Sequence, residues 1–422
     1  MKELKELTNE QMSPKPVKKE IGIFPDLTAT QNPRPLDTSD NVIHLLNYLN
    51  ATVKWNMMTR VREVFIPGMN FYMEEAENAS LNYITDEAVK AGMKVTRIDK
   101  HLDAISWNNL YHPVRDWILS KPLQDKEIIN EFLCILKTTN DELSRILLKR
   151  WMVAAIAALF SETGFCAQGV LVIQGEQYTH KSSFIMSLAP ANLCAIKGGL
   201  SLDPSKKDDI FTSSECWIGE LAELDATFRK ADIARLKSHI SNDVDTVRRP
   251  HAVRNSRMAR RSVLAATVNE SRFLVDVTGN RRWWTISITE PINTRHGLDM
   301  QQVWRAVYEL WKQGESPILL LNELEMLNGL NTEFEYLDPF ELKLQEHFDD
   351  DWKNRIWMNA TQVLDVIGYD KPNKSQTTQM GNILMKKGYE KGTGRLRYSY
   401  KMPVLIPQVD ATRVSTGENY KK

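Results

Sequence analysis

Paired cysteines and long apolar segments are both missing from this sequence. The 4 cysteines lie far apart and form no Cys-x-x-Cys pair, which argues against a disulfide framework and a zinc site. The longest apolar run, over residues 151–160, is too short to span a bilayer, and we expect no signal peptide. These absences favour a protein of the reducing cytoplasm that has no membrane partner.

An excess of charge of one sign is also missing. Lys and Arg together number 54, Asp and Glu together number 54, and the formal net charge is +0. Because general polyanion-binding proteins are usually basic, any contact with nucleic acid must come from a local patch. Residues 245–261 supply such a patch, with 6 arginines and no acidic residue after Asp245.

Arginine binds phosphate oxygens through its planar guanidinium, so this basic segment predicts contacts to a DNA backbone. The alternative interpretation is a solvated charged surface. The predicted DNA-binding residues are Arg248, Arg249, His251, Arg254, Arg257, Arg260 and Arg261.

The chain has 422 residues, enough for two or three domains. We expect a flexible, proline-rich arm over residues 1–38 and an α-rich domain over 39–140. We expect an α/β domain over 141–345, a small domain over 350–407, and a flexible tail over 408–422.

Helical and strand-like patterns alternate within residues 141–345. Apolar spacing predicts a long helix over 141–160, and short apolar runs separated by helices then predict a covered α/β sheet. These runs occupy residues 169–174, 215–221, 262–269 and 282–288. Residues 350–407 instead read as two helices followed by a strand pair with a basic turn, which is typical of a winged helix.

A glycine-to-lysine spacing follows the first of these runs. Gly175 precedes Lys181 and Ser182 at the distance found in phosphate-binding loops, between a predicted strand and a predicted helix. His180 stands where glycine is usual, although histidine is among the residues found more often at positive φ. The predicted nucleotide-binding residues are Gly175, Gln177, His180, Lys181, Ser182 and Ser183, and Ser182 would also bind Mg²⁺. The alternative is a chance match.

Polar or charged residues stand at one end of each later run. Glu220 ends the second run, with Glu223 close behind, and a carboxylate there can hold the Mg²⁺ shell and orient water. Asn269 ends the third run and could position the attacking water. Arg281 and Arg282 stand at the start of the fourth run and could stabilise transferred phosphate charge. Each has a plainer alternative. The glutamates could belong to a charged helix start, and Asn269 could be a turn asparagine. The two arginines could be surface residues stacked on tryptophan.

Taken in order, these motifs resemble the virulence-associated E (VapE) family, whose members are replication helicases of phages and mobile elements. The resemblance covers roughly residues 35–320 and rests on the block WIGELAELDATFRK at 217–230, the basic segment and TGNRRWW at 278–284. It implies a superfamily 3-like, AAA+-type ATPase core. It also implies an ATP- and Mg²⁺-dependent helicase that moves on single-stranded DNA as a homo-oligomeric ring, expected to be a hexamer.

By position, Gly175, Lys181 and Ser182 resemble Walker A residues, Glu220 the Walker B acid, and Asn269 sensor 1. Arg281 and Arg282 are candidates for an arginine finger that acts in a neighbouring subunit, with Arg282 slightly favoured. The basic segment corresponds to a pore hairpin. Because no convincing primase motif precedes residue 140, we expect a separate primase or polymerase as a partner.

The sequence departs from the family pattern at His180, Ala222 and His251. Because Lys181 and the acids are intact, a working ATPase is favoured. The main alternative is a nucleotide-binding origin-recognition or regulatory protein with little turnover, and a further one is an interference ATPase. The winged-helix-like domain could bind duplex origin DNA, or it could dock a protein or pack the ring.

Overall fold

A computed structural model of the protein describes most of its chain. The described residues are 21–69, 75–200, 202–203, 205–221, 233–247, 256–274, 280–335, 338–348 and 355–403. The chain divides into two units: Met1–Phe273 with Thr278–Glu333, and Leu274–Val277 with Phe334–Lys422.

The N-terminal part of the first unit combines helices with a small mixed sheet. Its elements are α1 (Ser39–Tyr48), β1 (Thr52–Asn56), β2 (Arg62–Phe65), α2 (Ala76–Lys90), α3 (Ile98–Trp107) and β3 (Leu110–Tyr111). Strand β1 pairs antiparallel with β2 and parallel with β3. The Thr38 hydroxyl accepts a hydrogen bond from the Asn41 N–H, so Thr38 is the N-cap of α1.

Residues 21–38 are packed against this part of the unit. The Phe24 ring is buried and lies 5.0 Å from the His44 ring, centroid to centroid. The Asn41 side-chain amide donates to the carbonyls of Asp26 and Leu36, at 2.7 and 2.8 Å. The flexible arm predicted from the prolines therefore does not extend over residues 21–38, because one buried aromatic and one buried amide fix them. Residues 1–20 of the predicted arm, and the predicted tail over 408–422, lie outside the described residues.

A five-stranded parallel sheet forms the centre of the first unit. The strands after β3 are β4 (Val170–Gln174), β5 (Ile196–Leu200), β6 (Ile218–Leu221), β7 (Val244–Val247), β8 (Ser256–Ala259), β9 (Val263–Val268) and β10 (Trp283–Ser287). The order in the sheet is β10-β4-β9-β6-β5, with every pairing parallel. The carboxyl ends of all five strands therefore lie along one edge, where α/β sheets bind ligands.

Helices precede, separate and follow the strands of this sheet along the chain, and several of them share one hydrophobic core with it. They are α4 (Pro113–Leu119), α5 (Ile128–Leu133), α6 (Asp141–Phe160), α7 (Lys181–Met186), α8 (Lys207–Ser214), α9 (Ile233–Ile240), α10 (Met300–Lys312) and α11 (Leu321–Asn331). Helix α6 has the bounds that its apolar spacing predicts. Buried tryptophans join the layers: Trp151 donates to the Leu264 carbonyl at 2.8 Å, and Trp217 donates to the Ala155 carbonyl at 3.0 Å.

The sequence predicted four of the five strands of this sheet. It missed β5, in which Gly198 and Gly199 interrupt a short apolar run and remove the usual strand signal. It also gave no bounds for β7 and β8, which form an antiparallel pair around residues 248–255.

The second unit contains α12 (Pro339–His347), β11 (Arg355–Asn359), α13 (Ala360–Val366), α14 (Lys374–Lys386) and β12 (Ser399–Pro403). Helix α12 belongs here, although the sequence placed residues up to 345 in the preceding domain. The predicted strand pair within 395–407 was wrong, because β12 instead pairs antiparallel with β11. The first of the two helices predicted in this domain begins at Ala360. Residues 355–359 form β11 instead, because pairing with β12 stabilises them more than a helical conformation would.

Within the part of the chain that the structure describes, no helix has both the length and the apolar character needed to cross a membrane.

Substitution of Phe24 tests whether residues 21–38 belong to the folded unit. Phe24→Ala is expected to lower the free energy of unfolding by about 3 kcal/mol, because it empties a buried aromatic site. Its neighbour Ile23 is 86% exposed, so Ile23→Ala serves as the matched control and should change stability by less than about 0.5 kcal/mol. Urea denaturation gives the free energy of unfolding of both variants. If the two are equally stable, residues 21–38 are a flexible arm after all.

Candidate functional site

The loop between β4 and α7 makes the turn that the glycine-to-lysine spacing predicts. His180 has φ of 62° and ψ of 25°, which is the left-handed conformation, so histidine adopts the backbone shape expected of glycine. Tyr178 is also left-handed, at φ of 63°, and its ring is 91% exposed. Gly175 is needed for a different reason, because a Cβ there would lie 2.5 Å from Cγ1 of Ile288.

The ammonium group of Lys181 lies inside this loop and is surrounded by oxygen atoms. Its Nζ donates to the carbonyls of Gly175 at 2.8 Å and Glu176 at 2.6 Å, and to Oδ1 of Asn269 at 2.9 Å. The Thr179 hydroxyl is a fourth partner at 3.3 Å. Burial lowers the pKa of Lys181, since desolvation disfavours its charged form. The exposed side chains of Gln177, Ser182 and Ser183 lie on the loop and on the first turn of α7.

Two further predicted residues end strands at the same edge of the sheet. Asn269 directly follows β9 and reaches Lys181, as just described. Glu220 lies near the end of β6 and is 4% exposed, and its Oε1 accepts a hydrogen bond from the Thr267 hydroxyl at 3.4 Å. Thr267 is on β9, two residues before Asn269, so a strand's period of two would have marked Thr267 as a neighbour of the site. Glu223 lies outside the described residues.

No group of three or more His, Cys, Asp or Glu side chains suited to a metal ion occurs among the described residues. Mg²⁺ does not require such a group, because it usually keeps several waters and is bound through one or two protein oxygens together with substrate phosphates. Glu220 and Ser182 are chemically suited to that smaller role, since one offers a carboxylate and the other a hydroxyl at the loop.

Arg281 and Arg282 lie at the opposite edge of the sheet. They precede β10, which is parallel to β4 with Trp283 beside Val170. A strand such as β4 spans roughly 13 Å, so the arginines are separated from Lys181 by the full depth of the sheet. The Arg282 Nε donates to the Ser241 hydroxyl at 3.0 Å, and both arginines line a cavity of about 280 Å³. The structure therefore does not bring these arginines to the Lys181 site of the same chain.

The basic segment is only partly described. Arg248, Arg249, His251 and Arg254 lie outside the described residues. Arg257 is on β8 opposite Thr246 of β7, and its side chain is exposed. Of the predicted DNA-binding arginines that the structure describes, this one presents its charge to solvent.

Arg260 contradicts its predicted role. Its guanidinium is buried and makes a two-point ion pair with Asp245, with Nη2–Oδ1 at 2.5 Å and Nε–Oδ2 at 3.2 Å. It also donates to the His239 carbonyl at 2.6 Å. Burial and the Arg260 charge lower the pKa of His239 to about 4, so its ring is neutral near pH 7. Arg260 joins α9 to the base of the β7–β8 pair and is not free to bind DNA.

Arg261 is also occupied. Its guanidinium donates to the carbonyls of Ser161 and Glu162, both at 3.1 Å, just beyond the end of α6. These carbonyls have no partner within the helix, so a cation is favoured at this end. Burial, with a smaller effect from the Arg115 charge, lowers the pKa of Arg261. Arginine count alone could not separate Arg260 and Arg261 from Arg257, because the difference is set by burial.

The match to a known family covers the whole of this site. Residues 120–336, just over half of the chain, match the virulence-associated protein E-like domain. The chain belongs to this family. The matched range of the VapE-like domain contains the loop, Glu220, Asn269, both arginines before β10 and the basic segment.

Solved structures with some likeness to this VapE-like chain include the C-terminal region of NrS-1. The A form apo structure is 11% identical, with a TM-score of 0.45, and the alignment covers 86% of this chain and 99% of that one. An apo structure of residues 305–718 is 12% identical, with a TM-score of 0.43, and covers 86% and 98%. No curated protein matches the chain.

Two arginines of the VapE-like domain form a matched pair for testing the buried ion pair. Arg260→Ala is expected to lower the free energy of unfolding by about 3–5 kcal/mol, because it leaves Asp245 buried without its partner. Arg257→Ala should change it by less than about 0.5 kcal/mol. Chemical denaturation measures both variants, and a stable Arg260→Ala protein would show that Arg260 is not structural.

Proposed function

We infer that the protein is a Mg²⁺-dependent ATPase that acts on single-stranded DNA as a ring of identical subunits. The observation that carries this proposal is the contact between Lys181 and Asn269 at the carboxyl edge of the sheet. It joins the loop after β4 to the end of β9, so a cation and a polar amide meet where an α/β sheet binds its ligand. Glu220, a buried carboxylate near the end of β6, lies along the same edge.

Lys181 is suited to hold a phosphate group of ATP. An ammonium group has three protons, and Nζ shares them among four acceptors, of which the Thr179 hydroxyl is the most distant. That weakest contact can be exchanged for a phosphate oxygen at little cost. The left-handed turn at His180 supports this role, because the loop already has the shape that a glycine would give.

Glu220 and Asn269 would act on the attacking water. Among the described residues, the Glu220 carboxylate receives one long hydrogen bond, so this buried acceptor favours a cation or a water proton beside it. The Asn269 amide could orient the water oxygen toward the terminal phosphorus. Glu220 could accept the proton that this water loses as its oxygen bonds to phosphorus and the bond to the ADP oxygen breaks. Mg²⁺, held by Ser182, Glu220 and the phosphates, would supply charge neutralisation.

The position of Arg281 and Arg282 favours assembly into a ring. A head-to-tail contact between copies of one chain can place the amino edge of one sheet against the carboxyl edge of the next. Arg282, on the amino edge, would then stabilise charge at a neighbour's terminal phosphate. We favour it because Ser241 holds its Nε and no described residue bonds to its two terminal nitrogens. Ring closure at six subunits remains the expectation from the family resemblance.

The β7–β8 pair supports a DNA contact in the same assembly. It carries residues 248–255 between its strands and is anchored at its base by the Arg260–Asp245 ion pair. Arg257 on β8 and the arginines of the intervening segment would bind phosphates of single-stranded DNA without reading its bases.

We also propose that the second unit binds duplex DNA as a winged-helix-like domain. Lys374 on α14, together with Arg395 and Arg397 before β12, presents exposed positive charge. Such charges suit backbone contacts, whereas docking of a protein or of the next subunit would use the exposed apolar side chains of the same unit, such as Met385. We propose that these activities serve the replication of a phage or mobile element, a role that membership of the VapE-like family supports. A separate primase or polymerase is the partner that we expect.

The first test is ATP hydrolysis with and without single-stranded DNA. The parent is expected to hydrolyse ATP with DNA stimulation, and Lys181→Ala should lower kcat by about 10²–10³-fold, because it removes a charge-stabilising donor. His180→Gly should retain turnover, since the backbone is already left-handed. Lys207→Ala, at an exposed lysine of α8, is the matched control. A silent parent that His180→Gly activates would instead indicate a nucleotide-binding regulator with a damaged loop.

Mixing two inactive variants tests the shared site. Lys181→Ala and Arg282→Ala proteins should each be inactive alone and should regain part of the activity when mixed, because some interfaces then combine an intact Lys181 with an intact Arg282. Steady-state hydrolysis of the mixture gives the answer. If the mixture stays inactive, or if Arg282→Ala is active on its own, Arg282 does not act in the neighbouring subunit's site.

A further inference from the structure

The edge strand β5 has an irregularity directly beside Glu220. Lys197 pairs with Gly219 of β6 and Leu200 pairs with Leu221, so two residues of β5 lie opposite the single residue Glu220. This is a β-bulge, a feature that is rare in parallel sheets and often found next to active sites, where it redirects a side chain. The two residues of the bulge are Gly198 and Gly199.

The two glycines of the bulge serve different purposes. Gly199 has φ of 71°, which side-chain-bearing residues rarely adopt, and a Cβ there would meet no atom within 4 Å. Gly198 has no such backbone requirement. A Cβ on Gly198 would lie 3.0 Å from Oε2 of Glu220 and 3.5 Å from Sδ of Met186. Because Gly198 has no side chain, a gap is left beside the carboxylate.

The other oxygen of the carboxylate faces β9. The Thr267 hydroxyl donates to Oε1 of Glu220 at 3.4 Å, which is the hydrogen bond that the described residues give to this buried group. Glu220 is therefore held between a hydroxyl on one neighbouring strand and a gap on the other. Such an arrangement fixes the direction of the carboxylate, and no donor to Oε2 occurs among the residues that the structure describes.

We propose that the Gly198 gap and the Thr267 hydroxyl position the Glu220 carboxylate for catalysis, so that Oε2 stays open to the metal-bound phosphate and its attacking water. This proposal rests on the proposed ATPase function. Gly198 and Thr267 are positioning residues, since they act only through Glu220. Gly198 is exposed, so adding a Cβ there does not disturb the core. We expect the Glu220 side chain to rotate away from the added Cβ.

Gly198→Ala and Gly199→Ala form a matched pair with opposite expectations. Gly198→Ala should keep its thermal midpoint and its KM for ATP while kcat falls by about 10²-fold, because a displacement near 1 Å in a catalytic group costs about that much. Gly199→Ala should lower the thermal midpoint, because it strains a left-handed position, and should keep kcat in the protein that remains folded.

Two further measurements separate positioning from a structural role. Thr267→Val should lower kcat without raising KM, and Thr267→Ser, which keeps the hydroxyl, should restore it. The affinity of the ADP complex for Mn²⁺, measured by the paramagnetic signal of free Mn²⁺, should weaken in Gly198→Ala and stay at the parent value in Gly199→Ala. The Mn²⁺ readout does not depend on turnover.

The outcomes distinguish this inference from the proposed function. A parent that hydrolyses ATP and loses turnover in Lys181→Ala supports the ATPase. If Gly198→Ala then matches the parent in kcat and Mn²⁺ affinity, the positioning inference is wrong while the ATPase stands. A parent with neither turnover nor nucleotide-dependent Mn²⁺ binding would overturn both.

Discussion

The burial of one ammonium group constrains the whole site. Lys181 is 7% exposed, and a buried cation must be surrounded by acceptors or it costs several kcal/mol. The chain meets this demand by folding the loop after β4 back over Nζ, which requires left-handed residues at Tyr178 and His180. It also brings the end of β9 within reach, so that Asn269 supplies the remaining oxygen. The sheet order β10-β4-β9 makes this possible, because β9 lies directly beside β4.

The parallel arrangement of the sheet then divides the functional residues between two edges. Residues that follow strands, such as Asn269, collect at the carboxyl edge, whereas Arg281 and Arg282 precede a strand and lie at the amino edge. A single subunit cannot close that gap, because the edges are separated by the length of the strands. The separation is the physical basis for proposing a site shared between subunits.

Arginine in the basic segment serves two purposes, and burial decides between them. Arg260 is paired with Asp245 inside the protein, and Arg261 binds carbonyls beyond the end of α6. Arg257 remains on the surface of the β7–β8 pair. Arg260 holds the base of this pair, so it supports a nucleic-acid surface without contributing to it.

The sequence by itself determined the features that depend on neighbouring residues along the chain. Apolar spacing fixed α6 and four strands of the central sheet, and the polar residues after those runs located Lys181, Glu220 and Asn269. What it could not supply were the features set by contacts between distant segments. The pairing of β11 with β12, the bulge of β5 beside Glu220, the burial of Arg260 and the placement of Arg282 at the far edge were decided by tertiary structure. The physical reason is that a side chain's type and period are local, whereas strand order, burial and the partner of each charge arise only when the chain packs.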